Sequence, residues 1–233
     1  MHLRPELMRL EALRTTDSRN VLLRERAFFN ASAAKNRPYL HEDVQGGVLP
    51  LRVYEPALAR APETVFPPPL SAGPCVCLFP VDWCEHEEAW RVPACGAASV
   101  YRLGLTGTET ELLETAALGC AGLLAPATEL DAPALQFLVE LARDCHVTYV
   151  PLVWNGNELD VVLETDVPYV GLGAAGVFAG EPVEKALASL RKSRQRLPST
   201  LRAVVFLPAD ATDTHVRMAM DEGASAVVRA VTS

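Results

Sequence analysis

The order of apolar strands and amphipathic helices predicts an α/β fold, a (β/α)8 barrel of the TIM type whose first and last helices are altered or missing. Three observations carry this. From residue 98 onward, six short apolar runs alternate with five helical patterns, and two further strand-like runs lie upstream. The strand segments are apolar throughout rather than alternating, as strands covered on both faces of a parallel sheet must be. The length of 233 residues is near the usual barrel size of about 250. A doubly wound sheet is the alternative.

In chain order, "GGVLPLRVYE" and "CVCLFPV" supply the first two strands and "ASVYRLGL" the third. "TETELLETAALG" follows as a helix with an acid-rich first turn, where carboxylates offset the helix dipole. "AGLLAP" is a strand. After it, "LDAPALQFLVELARDC" spaces Leu130, Leu135, Leu138 and Leu141 along one helical face. "VTYVPLVW" is a strand, "NELDVVLET" a short helix and "PYVGLG" a strand. "EPVEKALASLRKSRQRL" is a helix with Pro182 near its first turn and the cations of "RKSRQR" in its last. "RAVVFLP" is a strand, "TDTHVRMAMDEG" a helix ending at Gly223, and "ASAVVRAV" the last strand.

The chain divides into an N-terminal helical extension, 1–45, and the barrel, 46–233. Between the first two strands, "PALARAPETVFPPPLSAGP" is too rich in proline for a helix and reads as an extended loop. The sequence stops directly after the last strand. The face that a final helix would cover is therefore expected to be covered by residues 3–28 or by another protein.

Composition excludes several function classes. A net charge of −8 with no basic stripe argues against nucleic acid. No apolar run approaches the roughly 20 residues of a membrane-spanning helix. The six cysteines, mostly in apolar runs, read as buried free thiols in a reducing compartment. The expected location is intracellular, either the cytoplasm or an organelle such as the mitochondrion. The Arg-rich amphipathic N-terminus is similar to a targeting peptide, but Glu6, Glu11 and Glu25 favour an ordinary helix.

The stretches "SVYRLGLTGTETELLETAALGCAGLLAPATELDAPALQFLVELARDC", "VTYVPLVWNGNEL", "YVGLGAAGV" and "DEGASAVVRAV" resemble indole-3-glycerol-phosphate synthase across residues 98–230. That resemblance implies an enzyme that closes an indole ring by decarboxylation and dehydration. It implies lysines on strands one and three, carboxylates on strands one, five and seven, and an asparagine on strand six. The matching positions here hold other residues. Leu103 stands for the strand-three lysine and Leu152, with Trp154 beyond it, for the strand-five glutamate. Gly173 and Ala174 stand on strand six, Leu207 and Pro208 on strand seven, and Arg229 or Ala230 at the phosphate-site glycine. Lysine occurs only at positions 35, 185 and 192, so no register places one on strand one or three. Leucine cannot donate a proton, and the synthase chemistry is expected to be absent.

Gly171, Gly173 and Gly176 form a G-x-G-x-x-G spacing, the dinucleotide fingerprint. It sits after the sixth strand, the next helix begins near Glu181 or Pro182, and residues 191–198 hold no acid for a ribose. The glycines read instead as small residues occupying a strand end that has lost its polar side chains. No nucleotide is expected.

Two constellations contain chemically capable groups. Asp82, Cys84, His86, Glu87 and Glu88 follow the second strand but fit no zinc spacing, and Asp82 reads equally as a helix cap. Asp210, Asp213 and His215 follow the seventh strand, where a carboxylate and an imidazole suit acid–base work, but Thr212 or Asp213 also suits a cap. No catalytic, cofactor-binding or metal-ligating residue is assigned, and no cofactor is expected. The favoured reading is an inactive barrel held with other protein subunits in a larger assembly. A barrel repurposed for another small molecule through Asp82, His86 and Asp210 is the alternative, and a surviving synthase is third. A mouth plugged by Leu103, Leu152 and Trp154 would distinguish the first from an open polar pocket.

Overall fold

The structure, a computed structural model, describes residues 24, 27–28, 40, 48–53, 74–78, 99–117 and 119–230. Eight strands form a closed barrel: β1 (Val48–Val53), β2 (Cys75–Leu78), β3 (Val100–Leu103), β4 (Gly122–Pro126), β5 (Thr148–Leu152), β6 (Tyr169–Leu172), β7 (Arg202–Leu207) and β8 (Ala224–Ala230). Each pairs in parallel with its sequence neighbour, and β1 closes on β8 through Val48 opposite Val227. Closure removes every sheet edge. The barrel, rather than a doubly wound sheet, is the architecture.

Among the described residues the strands are interleaved with α1 (Glu109–Ala117), α2 (Ala132–Asp144), α3 (Gly156–Leu163), α4 (Ala174–Ala179), α5 (Val183–Arg194) and α6 (Asp213–Asp221). Five of these match the helices expected from the sequence. The sixth, α4, is new: the sequence places the next helix after Gly173 only near Glu181 or Pro182. Its residues are all small or apolar, and its N-cap is Gly173 in the left-handed region with no side-chain cap bond, so no polar start signal marks it. The Pro-rich loop after β1 and the boundary at 45/46 lie outside the described residues.

The continuous apolar strands serve two cores. On β7, Val204 and Phe206 point into the barrel, while Ala203, Val205 and Leu207 face the helices. The inner cluster includes Leu49, Val76, Tyr101, Leu124 and Val150 and is joined by Leu40 from ahead of β1. The outer cluster joins strand backs to helix faces, and Ala27 is fully buried in it. Arg24 pairs with Glu109 at the start of α1.

Helix starts follow sequence chemistry. Asp131 caps α2 by accepting from the Ala134 N–H at 2.8 Å. Asn155 caps α3 by accepting from the Asn157 and Glu158 amides at 2.9 and 3.0 Å. Helix α1 has the expected acid-rich first turn, and its Glu111 and, further along, Glu114 are buried. The Glu111 carboxylate accepts from the amides of Leu105, Thr106 and Gly107 at 2.8, 3.1 and 2.9 Å and thereby holds the β3–α1 loop. Arg102, on the outward side of β3, donates from both terminal nitrogens to Glu114 at 3.2 Å and lies 3.7 Å from Glu111.

A buried cation between two buried carboxylates makes Arg102 the group whose loss is felt most. Replacing it by methionine removes the guanidinium that Glu114 pairs with, while Glu111 keeps its three loop amides, and is expected to destabilise by about 3–5 kcal/mol, read as a lowered urea midpoint.

Two further buried groups set the alkaline limit of the fold. Burial, with Asp144 adding to it, pushes the Cys145 thiol from 9.0 up to about 11. Burial, reinforced by the Glu111 charge, pushes the Tyr149 phenol well above 10.0. Both shifts favour the neutral form in the folded state. The stability they contribute is complete below the unfolded values and is lost as pH rises. Unfolding free energy should fall from pH 9 upward, for Cys145 by up to about 1.4 kcal/mol per pH unit until pH 11. Urea titrations at pH 8 to 11 measure this, and Cys145→Ala should flatten the lower part of the decline.

Candidate functional site

In a (β/α)8 barrel, reactive groups belong at the carboxyl ends of the strands and in the loops that follow them. Among the described residues, the inward side chains at that end are hydrocarbon. Leu103, Leu124, Leu152, Phe206 and Val228 are each at most 2% exposed and belong to one cluster. Helix α4 lies against the same cluster, with Ala174 fully buried and Val177 partly so.

Leu152 and Gly171 explain how this end is filled. The two residues are partners across β5 and β6. A Cβ on Gly171 would lie 2.2 Å from Leu152 Cδ2, so the leucine occupies the place that a side chain on β6 would take. Gly173 follows with φ at +81° and turns the chain from β6 into α4. A Cβ on Gly176 would meet the Glu181 carboxylate at 2.8 Å. The G-x-G-x-x-G spacing thus has three local packing reasons, and the strand end is filled by small residues as the sequence suggests.

Trp154 does not plug the mouth with Leu103 and Leu152. It is 46% exposed. Its amide donates to the carboxylate of Glu158 at 2.5 Å, while Asn155 caps α3, and these two bonds hold the loop with its indole at the surface. Of the three residues that would mark a plugged mouth, Leu103 and Leu152 are buried in the inner cluster and Trp154 is not, because capping chemistry takes over the backbone after Leu152.

The groups after β7 are engaged in structure. His215 Nδ1 accepts from the Thr212 amide at 3.2 Å, and the His215 amide donates to Thr212 Oγ1 at 3.4 Å, closing a capping box on α6. Asp213 pairs with Arg229 at 2.9 Å. Asp210 is exposed. Arg229 follows inward Val228 in sequence and also donates to the Ala211 carbonyl at 3.4 Å, so it braces α6 from outside the barrel. Asp82, Cys84, His86, Glu87 and Glu88 lie outside the described residues. Among the described residues, no three His, Cys, Asp or Glu side chains are grouped to hold a metal ion, and no helix is long and apolar enough to cross a membrane.

Sequence reasoning missed the Arg102–Glu111–Glu114 network and the buried phenol of Tyr149, whose Oη has no hydrogen-bond partner among the described residues. Both belong to the layer between barrel and helices. The only sequence signal for the network is an arginine inside an otherwise apolar strand.

The packing at Gly171 is directly testable. Gly171→Ala should destabilise by about 1–3 kcal/mol through overpacking, and Leu152→Ala by about 2–5 kcal/mol through its cavity. The double variant should cost clearly less than the sum, because the new methyl enters the space the leucine vacates; denaturant melts of the four proteins measure the coupling.

No protein-family model matches the chain, and no curated protein matches it in sequence. Solved structures do match in fold. N-acetylmannosamine-6-phosphate 2-epimerase from Clostridium perfringens aligns with a TM-score of 0.58 at 12% identity, over 84% of this chain and 90% of that one. A protein from Coccidioides immitis assigned as a fructose-1,6-bisphosphate aldolase aligns with a TM-score of 0.50 at 10% identity, over 89% of this chain and 78% of that one. At such identities the likeness is one of architecture. The chain is a TIM barrel.

Proposed function

We propose that this chain is a catalytically inactive barrel, descended from an indole-3-glycerol-phosphate synthase, that works as a subunit of a larger intracellular protein assembly. The observation that carries the reading is Leu152 packed against Gly171. Where the resembled family needs a carboxylate on strand five, Leu152 is fitted against Gly171 inside a hydrocarbon cluster, and Gly173 and Ala174, at the place of its strand-six asparagine, carry no polar group. A site emptied in this way has no general acid to give, and the absence of lysine between positions 35 and 185 removes the family's proton donor from the whole region. The extension 1–45 is proposed as further contact surface in the assembly.

The decisive experiment is the native mass of the endogenous protein in a gentle lysate, followed by identification of the proteins that travel with it. Migration in a large complex at fixed stoichiometry is expected. Migration alone, near the chain's own 25.2 kDa, would overturn the subunit reading. Independently, the purified chain should show no indole-ring closure above background in a synthase assay; turnover there would overturn the claim of inactivity.

A further inference from the structure

Trp154 marks an unusual sector of the barrel mouth. A half-exposed indole leaves apolar surface in water, and the backbone amide of the same residue donates to the carboxylate of Glu158, which is itself 8% exposed. A buried carboxylate needs such hydrogen bonds, and this one fixes the loop that carries the indole. Beside it, from Gly171 through Gly180, ten consecutive residues carry no polar side chain. The two stretches are neighbours because β5 pairs with β6, the Val153 amide donating to the Gly171 carbonyl at 3.0 Å. Val177 faces the inner cluster, whereas Ala179 and Gly180 are exposed. An aromatic anchor beside small apolar residues is the composition of an interface centre.

The charges around this sector are one-sided. The five described loops at the mouth (104–108, 127–131, 153–155, 173–182 and 208–212) contain Glu129, Asp131, Glu181 and Asp210 but no lysine, arginine or histidine. Of these carboxylates, Glu129, Asp131 and Asp210 are exposed. The nearby described cations are engaged, Lys185 with Glu181, Arg229 with Asp213, and Arg196, which lies beside Gly156, with Asp160; of the carboxylates, Asp131 also accepts the Ala134 amide as the cap of α2. Such a rim attracts positive charge, and an indole face adds a cation–π site for a guanidinium or ammonium group.

We propose that this sector docks a basic segment of another protein subunit, with an arginine or lysine side chain over Trp154 and the segment's apolar part against α4. The proposal rests on the subunit reading above and names the surface that would serve it.

The test uses the endogenous assembly. A photo-cross-linking amino acid at position 154 should join the chain to a partner segment rich in arginine or lysine. Trp154→Lys should reduce the co-purified partner at least ten-fold, and Trp154→Phe, which keeps an aromatic face, should retain most of it. Phe137→Lys, at an exposed aromatic on α2, should leave the partner bound. Unchanged thermal melts would show that each variant is folded. If the wild type travels in an assembly and Trp154→Lys does too, or if the cross-link maps to a segment without basic residues, the docking proposal fails while the subunit reading stands. If the wild type runs alone, both fail.

Discussion

A closed barrel encloses a fixed interior, and every part of that interior must be either packed or wet. In this protein the contact between Leu152 and Gly171 decides for packing at the end where barrel chemistry takes place. The leucine can lie across the barrel because β6 offers no Cβ at Gly171. With that space filled, Leu103, Leu124, Phe206 and Val228 close into one hydrocarbon layer. A carboxylate introduced into such a layer would lack partners. The apolar character of α4 follows from the same constraint, since a helix laid on a hydrocarbon surface presents hydrocarbon to it.

Polarity has been moved to the outer layer, where it organises the scaffold. Glu111 receives three consecutive loop amides, and Arg102 links that carboxylate and Glu114 to the back of β3. On the other side, Arg229 and Asp213 tie the end of β8 to the start of α6, and the Thr212–His215 box completes that helix start. Asp213 and His215, which resemble catalytic residues by type and place, are thus occupied in holding the start of α6.

Much of this was legible in the residues and some was not. The helix start at Thr212 was legible because capping is local chemistry within three residues, and the caps at Asp131 and Asn155 obey the same chemistry. The glycine spacing was read as small residues at a strand end because a dinucleotide loop has further requirements that the neighbouring sequence does not meet, and in the structure each glycine has a local reason. Helix α4 was missed, since alanines and glycines state no strong preference and Gly173 caps by backbone conformation alone. The surface position of Trp154 follows from the cap of α3, which strand composition does not reveal. The burial of Glu111 and Glu114 could not be read because nothing local reveals that Arg102 faces them across the sheet and helix.

By itself, the sequence determined the order of strands and helices, the two-sided burial of the strands and the lack of any lysine where the resembled chemistry requires one. These are properties of composition and short-range periodicity. Only the tertiary structure decided that the sheet closes β1 onto β8, that Leu152 fills the place opposite Gly171, that the acids of α1 are buried around Arg102, and that Trp154 stands at the surface. Each depends on contacts between segments brought together by barrel closure, whose spacing and register no single stretch of chain encodes.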